Sequence, residues 1–506
     1  MKRISILLAC LALAGLFGGA AAFAAPAEKT LTIGVDQEAV GLDPNIVTAF
    51  SSHRRIDMLY NKLVRIDENM SIVPDLAESW ENPDNLTYVF RIRKGVKFHN
   101  GRELKAEDVQ YSLNRVLDPK TASPGRSYIA TVTNIAVTDP YTVKLTLSGP
   151  LPSLLDGLAS NNLAIVAKEV VEANGNLQKV EGGTGPFMLK EWLPDNSMTL
   201  VKNPAYFEKG FPLVDKVVFR VIPEQASLLA GVRSGELDMA TISDGATIRQ
   251  ALNDKGVVVM RKPGLNMRIF SFNTSRKPFD DARVRYAFAL ALNRDEIIAA
   301  AEFGSAQKTG PLPVSVAAWA LPPAKLPAAA PDLAQAKKLL ADAGYPNGFS
   351  FKIVCSTTYE GGLSVAQIAQ EQLKKIGVAA ELEVVEWGVY IDRWTKRDFD
   401  TMIELRGGSA EPDRFLYRTF HSTGGVNNFL FKDADVDKLL EQGRSLTKQA
   451  DRKAVYDKLQ AALTEKAPAV FLYCPYENQV LNPKVKGFKQ VGNGSIFYLT
   501  YAQVGN

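Results

Sequence analysis

The chain has 506 residues, 46% hydrophobic and 23% charged, a composition of soluble globular proteins with material for a large core and roughly 3 domains of ~150 residues. Its net charge of +4 is spread without a basic run, which excludes a nucleic-acid footprint and leaves at most a mild preference for anions.

Lys2-Arg3, the apolar run Ile4 to Phe17 and the small-x-small triplet Ala22-Phe23-Ala24 read as a cleavable secretory leader over residues 1–24, with the mature chain starting at Ala25. No later stretch offers the ~20 apolar residues of a membrane span. The expected destination lies outside the cytoplasm, and in a Gram-negative cell that is the periplasm. Leu7-Leu8-Ala9-Cys10 is only loosely like a lipobox, and little of the apolar run precedes it. Cys10 leaves with the leader. Cys355 and Cys474 sit in strand-like runs and are expected as buried free thiols, although the compartment permits a disulfide.

Leu31 to Val35 forms the first predicted strand, Gly41-Leu42-Asp43-Pro44 a turn, and a helix is predicted around Ile56 to Leu63. Tyr88, Phe90 and Ile92 alternate with Val89, Arg91 and Arg93, the period of a half-buried strand. Pro83-Asp84-Asn85 and Lys94-Gly95 bound it, and Asn100-Gly101 is a hairpin turn, since both residues tolerate positive φ. From Glu107, Val109, Leu113 and Val116 fall at helical spacing, and Tyr141 to Leu147 alternates again. Gly182 to Phe187 is glycine-rich but lacks the Lys-Ser/Thr of a phosphate loop, so it reads as an interdomain turn. Lys216 to Ile222 is a strand, and Ala226 to Asp238 a helix stopped by Gly235 and followed by a strand. Asn266 to Asn273 is a connecting strand, followed by one long helix to about Ala301, with Asp280 and Asp281 complementing its dipole. Ala317 to Pro331 reads as a surface loop, and Asp332 to Ala343 as a helix. Phe349 to Cys355, a helix ending at Gly377, and Ala380 to Val385 make a βαβ unit, hence a parallel sheet. Thr401 to Leu405 and Ala469 to Tyr473 add strands, with two helices between Val436 and Leu463. No internal repeat interrupts this order.

Three ordered motifs, Ala77-x-Ser79-Trp80-Glu81, Phe90-x-Ile92-Arg93-Lys94-Gly95-Val96-Lys97-Phe98-His99-x-Gly101 and Ala106-Glu107-Asp108-Val109, resemble the family 5 bacterial extracellular solute-binding proteins, the peptide- and nickel-binding receptors of ABC importers. Gly183 to Phe187, Trp192, Lys202-Asn203-Pro204-x-Tyr206 and the block Phe272 to Ala287 extend the resemblance over nearly all of the mature chain. It implies an α/β, two-lobed periplasmic-binding-protein fold, type II-like in its large three-segment variant, with mixed sheets and a hinge between lobes. Mapped onto this chain, residues 25–60, 183–265 and 480–506 make the first lobe, with 61–182 an inserted α+β unit of that lobe, and residues 266–479 make the second lobe. The crossing strands are expected near Lys262 to Asn266 and Val480 to Asn482.

No zinc-protease motif and no nucleophile elbow is present, and His53, His99 and His421 are isolated in sequence. The resemblance therefore points to a binding protein without cofactor or metal, not an enzyme. Its expected partners are a small-molecule or short-peptide ligand and an inner-membrane ABC permease, with no nucleic acid, and it is expected to act as a monomer. A chemosensory receptor on the same fold and, more distantly, a secreted hydrolase are the alternatives.

The stretch Ile403 to Phe415 runs between a strand and a helix, where ligands collect in α/β lobes. Peptide-binding family members carry there an aspartate that pairs with the peptide's amine; aligned through Gly407 and Pro412-Asp413-x-Phe415, this chain has Gly408. The arginine of dipeptide binders is absent from Ser356 to Gly361. Arg406 is the expected replacement, clamping a carboxylate or phosphate, with outward exposure or pairing to Glu404 as the plainer reading. Gly407 and Gly408, beside Ser409, would let a ligand approach backbone N–H groups. Trp387 and Tyr390 match an aromatic pocket position and could equally be core. The resemblance also maps Asn266 and Thr48 to the pocket and gives Tyr128 the role of closing the cleft. The expected ligand is a small peptide-like or other carboxylate-bearing compound.

Overall fold

The computed structural model describes residues 28–357 and 361–505; the leader expected over residues 1–24, its expected cleavage site and Cys10 lie outside them. Buried Leu31, Ile33 and Val35 fix the strand Thr30–Val35 in a core, and Lys216–Val221 and Met239–Thr241 pair with it in parallel. One hydrogen-bonded path of strands links both lobes, because the 13-residue strand Ala469–Leu481 belongs to each. Its first half pairs with Asn266–Phe272, from Ala469 opposite Ser271 to Tyr473 opposite Arg268. Its second half pairs with Val258–Pro263, from Tyr476 opposite Pro263 to Leu481 opposite Val258. The chain thus passes from one half of this sheet to the other at Pro263 to Asn266 and near Pro475. The expected crossing at Val480 to Asn482 is corrected: Val480 already pairs with Ala240 and Val259, deep in the first lobe's sheet.

The second lobe adds Thr401–Gly407, antiparallel to Asn266–Phe272, and the parallel pair Ser350–Cys355 and Ala379–Val384. The helix Gly362–Lys374 covers them with Val365, Ala369 and Leu373, the βαβ unit read from the pattern. Cys355 and Cys474 are buried free thiols in separate apolar clusters, and burial pushes both up to about 11. Between residues 63 and 167 a four-stranded antiparallel sheet, ordered Ala77–Asp84, Thr87–Ile92, Thr142–Leu147, Val132–Asp139, packs with the helix Ala106–Leu117 around its own core. Tyr88, Phe90 and Ile92 face that core, as their alternation requires.

Other expectations shift. The first helix is Phe50–Leu59, not Ile56 to Leu63. It ends where the glycine turn meets it: Gly185 N donates to Leu59 O at 3.0 Å. A Cβ on Gly183 would lie 2.0 Å from Leu59 O, so the turn's glycines answer a backbone contact and not a phosphate. The single long helix after Phe272 is two, Ala282–Ala291 and Arg294–Ala301. Asn293 separates them, its side chain accepting from Asp295 N and Glu296 N as an N-cap. Ala317 to Pro331 is not a surface loop throughout: Trp319 and Leu326 are buried, and Trp319 meets Tyr456 edge-on at 5.9 Å. Among the described residues no helix is long and apolar enough to cross a membrane.

Candidate functional site

Thr401–Gly407 brings its carboxyl end to the cleft, held by Asn266 opposite Gly407. The chain then turns through Gly408, Ser409 and Ala410 into the helix Pro412–Phe420, whose N-cap Glu411 accepts from Asp413 N at 2.7 Å. Pro412 at the first helical position loses no needed N–H. Behind the strand end lies the helix Trp387–Lys396. Tyr390 is anchored there by donating to Ile403 O at 2.9 Å, and Trp387 stacks on it with ring centres 5.2 Å apart. These elements enclose a cavity of about 460 Å³, to which Tyr128 contributes from the inserted unit.

A second cavity of about 350 Å³ continues into the first lobe, lined by Thr48, His53, Arg54, Lys62 and Arg65 among others. Tyr128, Gly408, Ser409 and Arg414 line both, so the two are adjacent compartments of one cleft. A third compartment of about 440 Å³ lies between Trp80, Tyr88 and Leu151 on the inserted unit and Trp319, Arg444 and Arg452 opposite.

The structure brings Arg406, Gly407, Gly408, Ser409, Trp387, Tyr390 and Tyr128 to the first compartment and Thr48 to the second. Asn266 lines none of the three; it sits beside the strand end, its Oδ1 near the face of Gly407.

Two readings of this loop change. Arg406 is not a free clamp. Its Nε donates to Glu404 Oε2 at 3.0 Å, with both side chains under a tenth exposed (7% and 4%). Its other nitrogens bond Val426 O at 3.2 Å and Asn428 Oδ1. Trp394 Nε1 and Asn428 Nδ2 complete the shell of Glu404, at 2.8 and 3.2 Å. A buried guanidinium so surrounded is a wall of the cavity, not a vacant anion receptor. Gly408, likewise, does not offer its N–H, which donates to Leu265 O at 3.0 Å. A Cβ there would meet Pro313 Cγ at 2.4 Å and Leu265 O at 2.5 Å, so an aspartate does not fit this backbone.

Sequence reasoning missed several cleft residues. Trp394 and Arg414 line the first compartment, and Arg54, Arg65 and His53 the second. His53 Nδ1 is buried without a partner, and burial lowers the ring's pKa below the usual histidine range. Trp394 follows Trp387 at helical spacing, a signal visible in sequence; the cations carry none, because they approach only in the fold. His99 bonds Glu181 at 2.5 Å and Gly185 O at 3.0 Å, and His421 stacks on Tyr417 at 4.2 Å. Among the described residues no three metal-ligating side chains converge.

Residues 71–427 match the family model described as bacterial extracellular solute-binding proteins, family 5 middle. Heme-binding protein A of Haemophilus influenzae is 28% identical over 485 residues, covering 89% of this chain and 88% of the relative. The glutathione-binding protein GsiB of Salmonella choleraesuis is 30% identical, covering 90% of this chain and 91% of its own. Among solved structures, the periplasmic binding protein DppA of Helicobacter pylori in complex with the peptide STSA is 30% identical, with a TM-score of 0.77 over 95% of this chain and 99% of that one.

Proposed function

The chain belongs to the family 5 bacterial extracellular solute-binding proteins, and from that premise we propose that it captures a small peptide-like or other carboxylate-bearing solute between its lobes and delivers it, as a monomer, to an inner-membrane ABC permease. The observation that carries this reading is the cleft lined from both sides, where Tyr128 of the inserted unit and the Gly407 to Ser409 turn of the second lobe border the same cavity. A ligand that touches both lobes only when they are closed shifts the population to the closed form, and hinge closure is the general behaviour of periplasmic binding proteins. The permease then distinguishes loaded from empty receptor.

Trp387, Tyr390 and Trp394 would supply stacking area on one wall. Arg54, Arg65 and Arg414 supply the positive side of the cleft, which favours an anionic group. Arg406 contributes by fixing Glu404 and the strand end. Export by the leader places the receptor on the outer side of the inner membrane.

Native mass spectrometry of the mature protein, before and after unfolding, tests this. Release of a small acid or a peptide ladder is the expected result. A released compound without a carboxylate or peptide group would overturn the ligand class.

A further inference from the structure

One ion pair in the cleft joins its two sides. Asp156 lies in the short helix Leu154–Leu158, packed into the inserted unit's core, and Arg414 in the first turn of Pro412–Phe420. Arg414 Nη1 donates to Asp156 Oδ2 at 2.6 Å, and Ser409 Oγ donates to the same oxygen at 2.8 Å. The guanidinium lies over the Tyr128 ring, 3.7 Å from its centre. Asp156 is 3% exposed and Arg414 23%.

Position separates this pair from the other ion pairs of the cleft. Arg406 with Glu404, Arg444 with Asp413, and Arg452 with Glu411 all lie within the second lobe, and Lys62 with Asp57 within the first. Movement of the lobes leaves those pairs intact, whereas parting the cleft must separate Asp156 from Arg414. The pair also stands where the three compartments meet: Asp156 lines the second and third, Arg414 the first and second.

The contact is also incomplete. Asp413 holds Arg444 through Nε and Nη2 together, at 2.9 and 3.0 Å, while Asp156 engages Arg414 through one nitrogen. A planar guanidinium binds a carboxylate best through two parallel N–H bonds. A free carboxylate entering the joined first and second compartments is thus a better partner than the one in place.

We propose that Asp156 is an internal stand-in for the ligand's carboxylate: it holds Arg414 across the empty cleft, and an incoming carboxylate takes its place on the guanidinium. Arg414 is then the anion receptor and Asp156 its built-in competitor, which sets a threshold that weak anions do not pass. The inference rests on the reading that the ligand carries a carboxylate.

The test uses the mature full chain with glutathione and the tetrapeptide Ser-Thr-Ser-Ala as carboxylate probes, titrated by calorimetry into wild type, Asp156→Asn and Arg414→Gln. Charged hydrogen bonds of this kind set the scale at roughly ten- to a hundredfold in affinity. Asp156→Asn should tighten a probe by about that factor and Arg414→Gln should weaken it by as much. Asp156→Asn that weakens binding, or leaves it unchanged, overturns the proposal, because Asp156 would then support the ligand or ignore it. A ligand-free readout separates this from failure of the ligand class. Spin labels on Lys94→Cys and Lys438→Cys, exposed on the inserted unit and the second lobe, report the span of the empty cleft. Both charge variants should widen it. If no probe binds any form yet the span widens, the stand-in contact holds and only the choice of carboxylate ligand fails; an unchanged span overturns the stand-in itself.

Discussion

Arg406 and Glu404, two residues apart on one strand, form a buried ion pair at 3.0 Å, with the guanidinium 4.7 Å from the centre of the Phe429 ring and 5.5 Å from that of Trp394. Alternate residues of a strand share a face, so this pair points toward the cavity wall together. Taking both charges from water is costly, and the pair persists because Asn428, Trp394 and Val426 O satisfy what remains. Glu404→Gln should therefore destabilise the protein by about 3–5 kcal/mol, since it strands a buried cation. Glu404→Gln with Arg406→Met should recover most of that loss. Urea unfolding of the three proteins checks it; a single variant as stable as wild type would refute the account.

The glycine turn gives a steric prediction. Gly183→Ala places a methyl against the Leu59 carbonyl and should cost about 1–3 kcal/mol, as overpacking does. Gly149→Ala, with open space around it, serves as the control and should be neutral. Equal melting temperatures for both would show that the turn and the first helix do not meet as described.

The aromatic wall predicts a division between affinity and stability. Trp387 is half-buried on Tyr390, so Trp387→Ala should lower ligand affinity about tenfold, in line with ~1.5 kcal/mol for an aromatic contact, with little change in unfolding. Tyr390→Phe should do the reverse, losing about 0.5–1.5 kcal/mol of stability with its bond to Ile403 O. Calorimetry and thermal unfolding of the purified variants separate the two effects.

Glu68 makes stability depend on acidity. Lys489, at 2.6 Å, and the Tyr498 hydroxyl hold its carboxyl at about 2, from an ordinary 4.5. The folded state therefore favours the ionised form. Its contribution is present above pH 4.5 and lost as pH falls toward 2. Glu68 lies in the turn between the paired strands Val64–Ile66 and Ile72–Pro74 and ties them to the C-terminal segment, so hydrogen exchange across residues 485–504 should accelerate over that window. Glu68→Gln should remove the pH dependence; an unchanged profile would assign it elsewhere.

The strands of the inserted unit and the βαβ unit were legible because one buried face imposes a period on neighbouring residues. Tyr88, Phe90 and Ile92 show it, as do Val365, Ala369 and Leu373. Element ends were less legible. The first helix stops where Gly185 takes the Leu59 carbonyl, a contact more than a hundred residues away in the chain, and Asn293 divides a helix whose apolar pattern runs on. The long strand Ala469–Leu481 was read only as far as Tyr473, since nothing in its apolar run marks the passage from one sheet to the other.

Sequence alone determined the family and the two-lobed fold, because motif order and hydrophobic period are properties of neighbours in the chain. Only the tertiary structure decided which charges are available. It closed Arg406 onto Glu404, filled the space beside Gly408 with Pro313 and Leu265, and brought Asp156 to Arg414 across 258 positions. A charge is free or committed according to what lies within a few ångströms of it, and that distance is set by how the lobes pack.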